Sequence, residues 1–110
     1  MGQLFYGDTT RPIDIPDRLL AHLKVVVATK LRRSESFTLS WSHHDDEPKG
    51  RSTIWLHSSI PLRFVFDSPD PEELDPALLQ EMARAANSSG GLTLSRELLA
   101  VPEADVPRAA

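Results

Sequence analysis

The stretch richest in chemically capable side chains is His43-His44-Asp45-Asp46-Glu47. Imidazole nitrogens and carboxylates together suit hard and borderline metal ions. Neighbouring residues of an extended chain point to opposite faces, however, and no spacing of a known metal motif is present. The run therefore reads as a solvated hairpin loop. A second cluster is basic: Lys30-Leu31-Arg32-Arg33, with Arg18, His22 and Lys24 upstream. Lys30, Arg32 and Arg33 are the residues that would meet a phosphate backbone. The same cations suit the last turn of a helix, where they complement its dipole. An acidic stretch, Asp67, Asp70, Glu72, Glu73 and Asp75, contains no Lys or Arg and offers them partners. Trp41, Trp55 and His57 could line a small pocket, but strand aromatics more often pack into a core or an interface. No Gly-rich phosphate loop, no Gly-x-Ser-x-Gly and no pair of catalytic carboxylates on one helix occurs. The residues thus point to no catalytic group, no cofactor site and no metal site.

These side chains sit on elements with clear periods. Phe37 to Ser42 alternates apolar and small polar residues, the pattern of a strand with one face buried. Ser52 to His57 and Leu62 to Asp67 follow, rich in β-branched and aromatic residues that fit a pleated surface. Short turns join the three runs, which read as one antiparallel meander. Gln3 to Tyr6 and Pro12 to Ile15 read as an N-terminal hairpin around the turn residues Gly7-Asp8-Thr9-Thr10. Pro12 confines its strand to an edge or itself to a strand start. Asp17 to about Arg33 predicts a helix with Leu19, Leu20, Leu23, Val26, Val27 and Leu31 in one stripe, capped by Asp14 or Asp17. Asp75-Pro76 starts a second helix, ended by Ser88-Ser89-Gly90-Gly91 with Gly90 as the left-handed cap. Leu92 to Leu94 is a last short strand. The order is ββ-α-βββ-α-β, an α+β fold with a small antiparallel sheet and two packed helices.

A chain of 110 residues suits one domain, read here as residues 1–99 with a frayed tail over 100–110. Its net charge of -4 disfavours a general polyanion binder. Without cysteine there is no disulfide and no thiolate metal site. No apolar run reaches the length of a membrane span, and no signal-peptide pattern opens the chain. The expected location is cytoplasmic.

Several segments together resemble a known family. They are Met1-Gly2-Gln3-Leu4-Phe5-Tyr6-Gly7, the helix residues Asp17 to Val26, Lys30-Leu31-Arg32-Arg33-Ser34-Glu35-Ser36-Phe37, and Trp55-Leu56-His57 with Ile60-Pro61-Leu62. They are similar to short actinobacterial proteins of uncharacterised function, often labelled ATP-dependent DNA ligase, over residues 1–94. An adenylating ligase uses the lysine of a Lys-x-Asp-Gly motif as its covalent nucleophile. Here Lys24 is followed by Val25-Val26-Val27, Lys30 by Leu31-Arg32-Arg33 and Lys49 by Gly50-Arg51-Ser52. None matches, so no ligase residue carries over and the resemblance bears on fold.

The resulting expectation is a non-catalytic interaction module that forms a homodimer. The alternative is a nucleic-acid-binding accessory protein using Lys30, Arg32 and Arg33, with weak binding. The expected interface lies on the second face of the meander, opposite the Phe37, Leu39 and Trp41 side. It holds Trp55, Val65 and His57 among Thr38, Ser40 and Arg63.

Overall fold

The computed structural model describes residues 1–7 and 11–99. Turn residues Asp8, Thr9 and Thr10, and the tail expected to fray from Ala100 on, lie outside the described residues. The order of elements follows the sequence pattern: β1 (Gly2–Tyr6), β2 (Ile13–Ile15), α1 (Asp17–Arg32), β3 (Phe37–Ser42), β4 (Arg51–Leu56), β5 (Leu62–Val65), α2 (Pro76–Ala86) and β6 (Leu92–Leu94). A four-residue helix, α3 (Arg96–Leu99), follows; the sequence pattern gave no sign of it. Four residues are too few to show a helical period.

The strands do not form one meander. They form two three-stranded sheets, β2-β1-β5 and β4-β3-β6. β3 and β4 are the expected antiparallel hairpin, with Phe37 opposite Leu56 and Ser42 opposite Arg51. β5 leaves that sheet and pairs antiparallel with β1, Leu4 opposite Phe64. The turn after β4 closes with the Ile60 N–H on the His57 carbonyl, and the Pro61 carbonyl then accepts the Gly7 N–H. The other edge of β3 is taken by β6, which runs parallel to it with Ser40 opposite Thr93. A parallel neighbour needs a crossover connection, and the segment containing α2 supplies it. β2 is an edge strand, and Pro12 stands just before its first residue.

One core lies between these layers. The sheets contribute Leu4, Ile15, Phe37, Leu39, Leu56, Leu92 and Leu94; α1 contributes Leu19, Leu20, Leu23, Val26 and Val27; α2 contributes Met82 and Ala86. α1 packs on β1 and α2, and α2 packs on β6 and β3.

The helix ends carry two corrections. No side chain caps α1, whose N-cap is Pro16. Asp17 is instead buried, 4% exposed, and its Oδ2 accepts the backbone N–H groups of Asp67 at 3.0 Å and Ser68 at 3.1 Å. Its carboxyl group pins the chain leaving β5 to the start of α1. Gly2 belongs to this joint: a Cβ there would stand 2.7 Å from Asp17 Oδ1 and 2.9 Å from the Val65 carbonyl oxygen. α2 does begin as expected, Asp75 Oδ1 accepting the Ala77 N–H at 3.0 Å with Pro76 in the first turn. At its other end the C-cap is Asn87 in the right-handed region, so neither glycine caps the helix; the left-handed φ of +74° falls at Gly91, in the turn before β6, and Gly90 has no positive φ. Gly91 meets a second demand that Gly90 escapes, since a Cβ there would lie 2.6 Å from the Thr38 carbonyl oxygen.

Candidate interaction surface on the outer face of β4

Along β4 the side chains alternate. Ser52, Ile54 and Leu56 turn towards the core side, while Arg51, Thr53 and Trp55 are exposed. The register carries the same face across the sheet. Trp55 faces Thr38, Thr53 faces Ser40 and Arg51 faces Ser42, and Ser40 in turn faces Thr93 on β6. Ser40 and Thr53 join their hydroxyls at 2.7 Å. The outer face is thus a field of Ser and Thr with one large apolar side chain, Trp55, 55% exposed.

The expected company of Trp55 is only partly there. Thr38 and Ser40 share its face. Val65 and Arg63 do not: β5 lies in the other sheet, where Val65 faces Gln3 and Arg63 lies 5.6 Å over the Phe5 ring. Alternation along β5 separates Val65 from Phe64, but the strand belongs to a different sheet, so its faces are not those of β4. His57 follows β4 and is engaged in the turn, where its Nδ1 accepts the Ser59 N–H at 3.1 Å and lies 2.8 Å from Ser59 Oγ. Thr53 and Arg51 were not singled out from sequence. Their period-two spacing from Trp55 was the available signal.

Two residues of the basic cluster, Lys30 and Arg33, are engaged by their own chain. Lys30 Nζ donates to Asn87 Oδ1 at 2.7 Å, lies 3.3 Å from Glu35 Oε1 and stands over the Phe37 ring. Arg33 pairs with the other oxygen of Glu35 at 3.6 Å. The acidic connector takes Arg18 instead, through Asp75 at 3.7 Å. Arg32 is exposed. Lys30 and Arg33 flank a shallow groove of about 260 Å³ between α1 and α2, whose apolar wall includes Val25 and Leu79.

The histidine loop is a hydrogen-bonded hairpin end. His43 Nδ1 lies 2.9 Å from the Pro48 carbonyl oxygen and its Nε2 2.7 Å from Ser52 Oγ. His44 Nε2 contacts the Asp14 carbonyl oxygen at 2.8 Å, and the His44 N–H donates to Glu47 Oε1. Ring nitrogens so used are not gathered on one point, and among the described residues no three His, Asp or Glu side chains converge as metal ligands. His22, wholly buried, is likewise structural. Its Nε2 accepts the Asp75 N–H at 2.8 Å, so Nδ1 carries the proton and donates to the Arg18 carbonyl at 2.6 Å. It joins α1 to the cap of α2.

Residues 1–97, nearly the whole chain, match the family DUF7882, described as a domain of unknown function. The chain belongs to the DUF7882 family. No curated protein matches it. No solved structure matches it either. Membership of DUF7882 therefore brings no established activity, and the surface chemistry has to be read from the chain itself. Among the described residues no helix is long and apolar enough to cross a membrane.

Proposed function

We propose that this DUF7882 chain is a non-catalytic interaction module that self-associates through the outer row of β4, with Trp55 as the anchor. The observation that carries this reading is Trp55 itself, 55% exposed on a regular strand among short polar side chains. Burying a large aromatic side chain is worth about 2–3 kcal/mol. In a twofold assembly, the commonest kind, each anchor counts twice. An exposed aromatic set in a polar surround also has the composition of an interface hot spot. Nucleic acid is the less favoured partner, because Lys30 and Arg33 are already paired with Glu35 and the net charge is -4.

Light scattering combined with far-UV circular dichroism tests the reading. The unmodified protein is expected to be a dimer. Trp55→Ser is expected to be a monomer with an unchanged spectrum and a stability within about 0.5 kcal/mol of the parent, as for an exposed site. A parent that stays monomeric at high concentration, or a Trp55→Ser chain that unfolds, overturns it.

A further inference from the structure

β4 ends its sheet, and the structure shows which of its backbone groups face outward. In an antiparallel pair, residues alternate between those that bond the neighbour and those that turn their N–H and C=O away. Gly50 faces inward, since its carbonyl accepts the His43 N–H. The alternation then places Ser52, Ile54 and Leu56 inward and Arg51, Thr53 and Trp55 outward. Two observations agree. The Trp55 carbonyl is free of β3 and accepts the Tyr6 hydroxyl. Thr53 and Ser40 are close enough to link their hydroxyls, as side chains of a pair without mutual backbone bonds are. Among the described residues β4 has no strand on that side.

From this we infer that two copies of the chain join edge to edge, β4 antiparallel to β4, with the twofold axis at Thr53. The inference rests on the self-association proposed above and adds its geometry. A twofold axis can pass a residue of either kind. An axis at Ser52 sets Arg51 opposite Thr53 of the second copy and one at Ile54 sets Thr53 opposite Trp55, and neither sets a cation of β4 directly opposite Trp55. Arg51, Thr53 and Trp55 remain. An axis at Arg51 sets two like charges opposite each other, which is unfavourable. An axis at Trp55 crowds the Tyr6 hydroxyl against its symmetry mate and carries the pairing past Leu56, where β4 ends. With the axis at Thr53, each Thr53 exchanges N–H···O=C bonds with Thr53 of the second copy. Arg51 then lies opposite Trp55 of the second copy. The same pairing recurs on the other side of the axis. Both side chains are exposed on the same face, and Arg51 makes no ion pair among the described residues. Its guanidinium can therefore lie on the indole face, a favourable cation–π pair. The Trp55 carbonyl keeps a second lone pair for the incoming Arg51 N–H. Of these registers the one centred on Thr53 is the one that sets Arg51 opposite Trp55, and it makes the two β4-β3-β6 sheets continuous.

The absence of cysteine makes the geometry testable by single substitutions. Thr53→Cys should form a disulfide-linked dimer rapidly under mild oxidation, because directly opposed strand residues have the Cα spacing a disulfide needs. Thr93→Cys, exposed on the far edge strand, should not. A measurement on the unmodified protein guards against a folding defect in the variant. Amide hydrogen exchange at Arg51, Thr53 and Trp55 should slow as concentration rises through the dimerisation range, while exchange at Thr93 stays constant. Dimers by light scattering with no preferential Thr53→Cys linkage and no concentration-dependent protection overturn this register and leave self-association standing. A monomer at all concentrations overturns both.

Discussion

Ser34 shows how a single residue can work against its own position. It follows α1 with φ of 58°, the left-handed region. Its N–H donates to the Leu31 carbonyl and the Glu35 N–H to the Lys30 carbonyl. This bond pattern is the Schellman termination, whose left-handed position is normally glycine because a Cβ is strained there. Ser34 is exposed, so its side chain loses little if removed. Ser34→Gly should therefore raise stability by about 0.5–1 kcal/mol, the left-handed strain relieved less the greater entropy of an unfolded glycine. Urea unfolding of both proteins measures it, and a variant less stable than its parent would show that Ser34 makes a contact worth more than the strain. Residue types did not disclose this site, since Ser34 reads as loop chemistry; only the backbone angle reveals it. The two buried polar residues were equally opaque. Asp17 was legible as a helix-start residue and His22 as part of a basic cluster, yet both serve as joints between elements distant in sequence.

Between elements the tightest requirement is the approach of β6 to β3. Gly91 turns the chain into β6 with φ of +74°, directly against the Thr38 backbone. Gly91→Ala combines left-handed strain with a clash against a carbonyl that is fixed in a sheet, and should cost about 2–4 kcal/mol. Gly90→Ala meets no atom within 4 Å and should change stability by less than about 0.5 kcal/mol. Thermal unfolding of the pair separates the two, and equal effects would show that the turn between α2 and β6 can relax. The expected glycine cap at Gly90 is absent, since Asn87 ends α2 in the right-handed region; the left-handed turn lies at Gly91 instead, where packing against Thr38 selects it over Gly90.

The whole molecule carries a net charge of -4, and its basic cluster is largely neutralised within the chain. Arg32 is left exposed beside a bridged Lys30 and Arg33. Affinity for a phosphate backbone grows with the number of cations that displace counterions, so few free cations mean weak, salt-sensitive and sequence-blind binding. Titration of duplex DNA should show no binding at physiological salt. Tight binding that Arg32→Ala and Arg33→Ala abolish would make nucleic acid the partner.

The sequence by itself determined most of the elements and, in β3 and β4, the face each side chain takes. Those properties follow from local periods: two for strands, near four for helices, with Asp75-Pro76 marking a start. It also placed Trp55, Thr38 and Ser40 on one outer face, because β3 and β4 adjoin through a hairpin. Which strand lies beside which was decided only by the tertiary structure. A strand's alternation records that a face is buried and carries no address for its neighbour. β5 could have continued the hairpin, but its Leu62 and Phe64 meet Tyr6 and Leu4 of β1 instead. That choice removed Val65 from the company of Trp55, ended the β4-β3-β6 sheet at β4 on one side, and made the row Arg51, Thr53 and Trp55 an edge.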